Sequence, residues 1–276
     1  MGAQQSLDGA RLSLFGLPYD GTCSFRPGTR FGPAAIRNVS DGLETYCPVA
    51  NADLEDVQFA DLGDLILPPG DKDETLQLIE QAAGELYSAG VIPGALGGEH
   101  LVTLPLAKAA FSRFPDMVLV QFDAHLDLRD DYLGTRLSHA TVLRRIMEFV
   151  SPSRILQIGP RSGPREEFEI AKKFGTYRPD TCSPADLSAW VGNRPVYVTL
   201  DLDVLDPSIL PGTGTPEPGG VTFSTLQSWI IALSGSQWVG WDVVELSPDY
   251  DPTQVSSVVS SKIVRSMILA STATLY

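Results

Sequence analysis

The sequence is poor in several features that would mark particular classes of protein. Its 276 residues include only three cysteines (Cys23, Cys47 and Cys182), and none of them has the close spacing of a zinc-binding pair. It has no uninterrupted run of about 18 apolar residues, so we expect no transmembrane helix. The amino terminus lacks the basic segment and long apolar core of a secretory signal. Together with the widely spaced, odd-numbered cysteines, this predicts a cytoplasmic protein with reduced thiols and no membrane partner.

Positive charge is also scarce. The chain has 20 lysine and arginine residues against 34 aspartate and glutamate residues, which gives a formal net charge of −14. Nucleic acid is therefore excluded as a partner, because its phosphates would be repelled. The negative charge could attract a small cationic substrate, or it could only keep the protein soluble.

The sequence has only three histidines, and all three lie in or beside carboxylate-rich motifs: His100 in GGEH, His125 in FDAHLD and His139 in LSHATV. The middle motif holds Asp123, His125 and Asp127 at positions i, i+2 and i+4, directly after the apolar run 117–122. If the chain stays extended there, all three side chains point to one face. This spacing favours a shared role in binding.

A second pair of carboxylates, Asp201 and Asp203, follows the apolar run 196–200. Taken alone, such a pair is usually part of a turn, and a single buried histidine is usually a core residue. Four aspartates at strand ends, however, cost several kcal/mol to remove from water unless positive charge compensates them. No run of basic residues adjoins either motif. The sequence therefore predicts a site for one or two divalent cations.

Apolar runs typical of strands alternate with segments of helical spacing. The predicted strands are 12–16, 57–61, 91–96, 117–122, 155–159, 195–200 and 239–246. The predicted helices are 31–40, 73–89, 101–114, 138–150, 164–174, 222–234 and 255–270. This alternation predicts an α/β fold in a single domain over residues 1–276, with a mainly parallel sheet covered by helices on both faces.

Ligands of open parallel sheets bind at the carboxyl ends of the strands. Six candidate residues follow strands in this way: His100, Asp123, His125, Asp201, Asp203 and Glu245. With Asp127, these aspartates and histidines suffice for two ions bridged by shared carboxylates, roughly 3.5–4 Å apart. Oxygen-rich ligation with some imidazole suits Mn²⁺ and tolerates Co²⁺, Fe²⁺ or Zn²⁺. Metal-assisted hydrolysis is the predicted reaction class, with His139 better placed as a proton shuttle than as a ligand.

Four motifs occur in the order GGEH, FDAHLDLRDDY, LDLDVLDPSILPGTGTPEPGG and DVVELSPDYD. In this order and spacing they resemble the ureohydrolase family of arginases and agmatinases, over about residues 12–270. The segment FGLPYDGTCSFRPGTRFGPAAIRNVS is similar to the agmatinase branch. The resemblance implies an arginase-like fold, a three-layer α/β/α sandwich on a mainly parallel sheet of about eight strands. It also implies a homo-oligomer, either a trimer or a hexamer.

The resemblance further implies roles for individual residues. By motif position, one Mn²⁺ would be bound by His100, Asp123, Asp127 and Asp201. The second would be bound by Asp123, His125, Asp201 and Asp203. Glu245 falls where the family's glutamate grips the substrate guanidinium, and His139 matches the catalytic histidine. The implied mechanism is attack of a metal-bridging hydroxide on the guanidinium carbon, with release of urea and an amine.

The chain departs from the family pattern at three places, none of which removes a ligand. Glu99 replaces the aspartate of GGDH and is expected to support the ligands from the second layer. Ala140 replaces the glycine that often follows the catalytic histidine, and Leu246-Ser247-Pro248 replaces VNP. These departures give no reason to expect lost activity.

The loop after the second motif bears on the choice of substrate. Asp130 and Asp131 could meet the ammonium group of agmatine, whereas Arg129 could bind a carboxylate and favour a guanidino acid; alternatively, all three form surface pairs. The form DLRxDY resembles bacterial agmatinases, so agmatine, cleaved to urea and putrescine in polyamine biosynthesis, is the preferred substrate. Aminopropylagmatine, guanidinobutyrate and arginine stay open as alternatives.

Two other classes of protein are alternatives to a ureohydrolase. An amidohydrolase on the same fold, such as a deacetylase, would use a single Zn²⁺ and lack the long third motif. A non-catalytic, metal-binding regulatory homologue would be expected to have lost ligands or His139. This chain keeps both the motif and the residues.

Overall fold

The computed structural model describes residues 2–177 and 182–273. Met1, 178–181 and 274–276, which belong to the domain predicted over 1–276, lie outside the described residues. The strands are β1 (Leu12–Leu17), β2 (Tyr46–Cys47), β3 (Ala52–Asp53), β4 (Phe59–Asp64), β5 (Ile92–Gly97), β6 (Val118–Phe122), β7 (Ile155–Ile158), β8 (Val196–Asp201) and β9 (Trp238–Val244). The helices are α1 (Gly32–Ser40), α2 (Lys72–Ser88), α3 (Thr103–Arg113), α4 (Val142–Ile146), α5 (Arg165–Phe174), α6 (Pro184–Val191), α7 (Phe223–Ala232) and α8 (Val255–Thr272).

Within the described residues, seven strands form one sheet in the order β4-β1-β5-β9-β8-β6-β7. Every pair of neighbours in this sheet is parallel. All seven predicted strands are present, and the sheet is close to the eight strands that the resemblance implies. A separate antiparallel hairpin, β2–β3, was not predicted. The α/β fold with a parallel sheet is confirmed.

Helices cover the sheet on both faces because its strands are apolar on both sides. Along β6, Val118, Val120 and Phe122 pack into one hydrophobic core, whereas Leu119 points into the other. The first core also takes side chains from α1, α6, α7 and α8, and the second takes them from α2, α3, α4 and α5. The result is the three-layer α/β/α arrangement, in which the inner strands are mostly apolar.

The prediction and the structure differ at two helices. The helix predicted at 138–150 is a 3-10 turn, His139–Thr141, followed by the short α4. The Thr141 hydroxyl bonds to the backbone at Arg136 and Ser138, which favours a tight turn over a regular helix. Helix α6 was missed, although Ser183 and Asp186 form a capping box around Pro184, a recognisable start signal.

The order of the strands gathers the polar motifs. From β5 the chain crosses to β6 and leaves between them two positions, which β9 and β8 later fill. Consequently β5, β9, β8 and β6 lie side by side, and their carboxyl ends form one edge of the sheet. No helix of the described chain combines the length and the apolar character needed to cross a membrane.

Gly98 in the GGEH motif gives a test of how closely the end of β5 packs against the segment that follows β1. A Cβ at Gly98 would lie 1.9 Å from the carbonyl oxygen of Tyr19, which accepts a hydrogen bond from the Glu99 amide at 2.8 Å. We expect Gly98→Ala to lower the free energy of unfolding by about 1–3 kcal/mol because the backbone must shift. Gly84 in α2 has nothing within 4 Å of its Cβ position. As the control, Gly84→Ala should raise stability by about 0.4–1 kcal/mol. Urea denaturation of both variants measures the difference, and equal stabilities would contradict the packing.

Candidate metal centre and active site

The candidate site lies where four neighbouring strands end. His100 follows β5, Glu245 follows β9, Asp201 ends β8, and the segment Asp123–Asp127 follows β6. Because the strands are parallel and adjacent, these residues meet although they are far apart in the chain. The edge is the one predicted from the sequence.

Three carboxylates converge on the ring of His100. Its Nδ1 atom lies 3.1 Å from an oxygen of Asp123, 2.9 Å from one of Asp127 and 3.4 Å from one of Asp201. The ring is 1% exposed, and Nδ1 makes no hydrogen bond of acceptable geometry. A single nitrogen facing three carboxylate oxygens at such distances is a donor set suited to a divalent cation.

A second group forms around His125. Its Nδ1 atom lies 3.0 Å from Oδ2 of Asp203 and 3.5 Å from Oδ1 of Asp123. Asp123 thus directs one oxygen towards each histidine, Oδ2 towards His100 and Oδ1 towards His125. The ligand atoms of His100, Asp123 and Asp127 lie within 4.8 Å of one another, and so do those of Asp123, His125 and Asp203. Two cation sites that share the Asp123 carboxylate would fit this geometry.

The pKa values in the cluster reflect the concentration of buried charge. Burial and the neighbouring carboxylates raise the pKa of Asp201 well above its ordinary range, and raise that of Asp127 to about 6. Burial also acts to raise the pKa of Asp123, but its bonds with both histidines outweigh this and lower it. The carboxylates raise the pKa values of His100 and His125 against the effect of burial. A divalent cation would provide the same compensation and bind each imidazole in its neutral form.

A buried network behind His100 fixes the orientation of its ring. The Nε2 atom lies 2.9 Å from the Thr199 hydroxyl, which donates to the carboxylate of Asp242 at 2.7 Å. The Tyr197 hydroxyl donates to the same carboxylate at 2.6 Å. These residues were missed at the level of sequence. Their signal was available, since Thr199 and Asp242 are polar residues inside apolar strands.

Glu245 is held in a strained position beside the first group. Its backbone φ is +70°, a left-handed value that is unfavourable for a residue other than glycine and is often found at functional sites. One carboxylate oxygen accepts a hydrogen bond from the His100 amide at 2.7 Å. The other oxygen, Oε2, faces Gly214 and lies 3.6 Å from the point that a Cβ atom would occupy there. Burial and the nearby Glu99 raise the pKa of Glu245 to about 8, so a cationic partner would stabilise its ionised form.

His139 lies apart from the carboxylate cluster. Its Nε2 atom is 3.2 Å from the Ser24 hydroxyl, and its amide donates to the Thr22 hydroxyl at 3.1 Å. The Nδ1 atom is buried without a hydrogen-bond partner. Burial, together with the positive charges of His100 and His125, lowers the pKa of His139 to about 4. The imidazole is therefore neutral near pH 7 and able to accept a proton.

Glu99, the departure in the GGEH motif, ties the first loop to the end of β5. Its carboxylate accepts hydrogen bonds from the Thr22 hydroxyl at 2.5 Å and from the Thr22 amide at 2.7 Å. The same hydroxyl accepts a bond from the amide of His139. Thr22 and Ser24 were not identified from the sequence, because only the folded chain brings their loop to the site.

The cluster borders a cavity of about 100 Å³. Several of the predicted site residues line it: His100, His125, Asp127, His139, Asp201, Glu245 and Arg129. Tyr132 and Glu167, neither of them predicted, line it as well. Groups that could bind a metal ion, a carboxylate that could hold a cation and a neutral imidazole thus face one space, as metal-assisted hydrolysis requires.

Asp130 and Asp131 are not brought to the cavity. Asp130 is exposed and forms an ion pair with Arg145. Asp131 accepts a hydrogen bond from the amide of Gly134 at 3.0 Å. Both contacts correspond to the surface pairing considered as the alternative for these residues, and neither supports a direct contact with substrate.

Comparison with known proteins agrees with the motifs. The model of the arginase family matches residues 10–270. The agmatinase of Bacillus anthracis is 44% identical over 269 residues, covering 96% of this chain and 93% of the relative. The guanidinobutyrase of Pseudomonas aeruginosa is 34% identical over 276 residues, covering 95% and 86%.

Solved structures agree as well. The agmatine ureohydrolase of Thermoplasma volcanium matches with a TM-score of 0.86 and 34% identity, covering 98% of this chain and 92% of the other. The fold, the order of motifs and the length of the match thus confirm the resemblance seen in the sequence. The chain belongs to the arginase family.

Proposed function

We propose that the protein is a binuclear manganese hydrolase that cleaves agmatine to urea and putrescine. The observation that carries the proposal is the shared Asp123 carboxylate, which directs one oxygen to each of two histidine–aspartate groups. Relatives named agmatinases, similar over almost the whole chain, support the choice of substrate. Glu245 and His139 border the same cavity and would act on the guanidinium group.

The residues present fit a pair of divalent cations. The first would be held by His100, Asp123, Asp127 and Asp201, and the second by Asp123, His125, Asp201 and Asp203. Oxygen-rich donors with two imidazoles and no thiolate favour Mn²⁺, with Co²⁺, Fe²⁺ or Zn²⁺ as substitutes. When bound, the two cations would supply Lewis acidity that lowers the pKa of water towards about 7.

The side chains of the chain itself would then carry out the remaining steps. The Glu245 carboxylate binds the planar guanidinium and holds its carbon in place for attack by water. His139, neutral near pH 7, accepts a proton and passes it to the alkyl nitrogen as the carbon–nitrogen bond breaks. Water thus adds to the guanidinium carbon, and the bond between this carbon and the alkyl nitrogen breaks. The carbon leaves in urea, and the alkyl nitrogen leaves in putrescine.

Other guanidine compounds remain alternatives to agmatine. The 34% identical relative is named a guanidinobutyrase, so an anionic substrate is compatible with this degree of similarity. A urea-release assay with Mn²⁺ across agmatine, aminopropylagmatine, guanidinobutyrate and arginine separates these possibilities. Urea from none of them would favour a non-catalytic, metal-binding regulatory protein.

Assembly and location also belong to the proposal. A trimer or hexamer follows from the family resemblance, and size-exclusion chromatography with light scattering would measure it. A cytoplasmic location follows from the three reduced thiols.

Replacing the shared ligand tests the paired site. Asp123→Asn removes a charge that would bridge both cations, so we expect fewer than two Mn²⁺ per chain and no urea release. Metal analysis after dialysis, combined with the urea assay, measures both. Asp249→Asn, the same change at an exposed aspartate, is the control and should leave both values unchanged. Two bound ions and full turnover in Asp123→Asn would contradict a bridging role.

Replacing His139 separates proton transfer from metal binding. We expect His139→Asn to keep both ions and to lower kcat about 10²–10⁴-fold, the usual contribution of a general acid–base group. Metal content and steady-state kinetics are measured on the same preparation. Loss of an ion from this variant would show that His139 is a ligand instead.

A further inference from the structure

The charge of Arg129 on the cavity wall is already balanced. Its Nε atom donates to Oε1 of Glu167 at 3.0 Å, and its guanidinium carbon lies 4.5 Å from the centre of the Tyr132 ring. The Tyr132 ring in turn packs edge-on against His139, with the ring centres 5.7 Å apart. Arg129 is therefore anchored between an acid and an aromatic ring that both line the cavity.

Glu167 is the buried partner in this pair. It lies in the first turn of α5, is 4% exposed, and also accepts a hydrogen bond from the Leu128 amide at 3.3 Å. Gly163 places no side chain beside it, since a Cβ there would lie 3.7 Å from Oε2. The carboxylate thus borders the cavity next to the Arg129 guanidinium.

The surroundings of this pair are unfavourable for further negative charge. Oε1 of Glu167 already accepts the hydrogen bond from Arg129 Nε, and Oε2 accepts the one from the Leu128 amide. A substrate carboxylate at Arg129 would therefore lie beside the buried Glu167 carboxylate. An ammonium or an uncharged tail would not be repelled.

We infer that Glu167, through its ion pair with Arg129, determines specificity by rejecting guanidino acids and admitting guanidines with a cationic or uncharged tail. The inference rests on the proposed ureohydrolase function and extends it to the part of the substrate away from the reaction. Arg129 is then a partner of Glu167 and not a receptor for a carboxylate.

The test compares two substrates that differ in the charge of the tail. The kcat/KM values for agmatine and 4-guanidinobutyrate are measured with Mn²⁺ for the wild type, Glu167→Gln and Glu166→Gln. Glu166 is the matched control, because it is the adjacent glutamate of the same helix and is exposed. We expect Glu167→Gln to lower the ratio of agmatine to guanidinobutyrate by about tenfold or more, since a unit charge acts strongly over a few ångströms at a partly buried site. Glu166→Gln should leave the ratio within about twofold of the wild type.

Arg129→Gln provides a second arm that does not depend on the folding of Glu167→Gln. It leaves the Glu167 charge unbalanced, so the ratio should move in the opposite direction, towards agmatine. Far-UV circular dichroism and metal content identify a variant that has not folded. In that case the ratio measured for the other variant decides whether the inference holds.

Two results would overturn the inference, and only the first of them leaves agmatine in place as the proposed substrate. One is an unchanged ratio in the folded variants of Glu167 and Arg129, with urea still released from agmatine. The other is a wild-type preference for guanidinobutyrate over agmatine. Failure of the wild type to release urea from any guanidine would instead overturn the proposed function and this inference with it.

Discussion

The concentration of carboxylates at one buried edge of the sheet is the constraint on which the site depends. Asp123, Asp127, Asp201 and Asp203 are almost fully removed from water, and such charges destabilise a fold unless positive charge compensates them. The two histidines nearest to them meet these acids through Nδ1 in both cases. A pair of divalent cations would satisfy the same demand, and the arrangement of Asp123 between two groups favours two ions over one.

Residues around the candidate metal ligands hold the charged groups of the site in fixed positions. Thr199 and Asp242 orient the His100 ring from inside the sheet, whereas Glu99 and Thr22 attach the first loop to the end of β5. The strained backbone at Glu245 is held by bonds between its amide and Gly98 and between its carboxylate and the His100 amide. Each part that would contact the substrate is therefore fixed by a neighbour that does not, which is the usual support for precise catalytic geometry.

Two groups of the cavity lining bear on the choice of substrate. Glu245 would bind one guanidinium cation, and the Arg129–Glu167 pair adds no formal charge to the wall. Family members act on tails of different charge, as the names agmatinase and guanidinobutyrase indicate. A change in one ion pair on the wall would suffice to alter preference while the hydrolytic centre stays the same.

The sequence by itself determined the strands, the parallel α/β architecture and the family, because apolar runs followed by polar motifs leave a strong local signal. The six residues proposed as metal ligands were also predicted from the sequence, because they follow strands in contiguous motifs. Only the tertiary structure decided that Thr22 supports His139, that Glu167 balances Arg129, and that Asp130 and Asp131 turn away from the cavity. Those contacts join segments distant in the chain, or depend on the direction in which a loop side chain points. Neither is encoded in local periodicity, so they emerge only when the strand order has set the loops side by side.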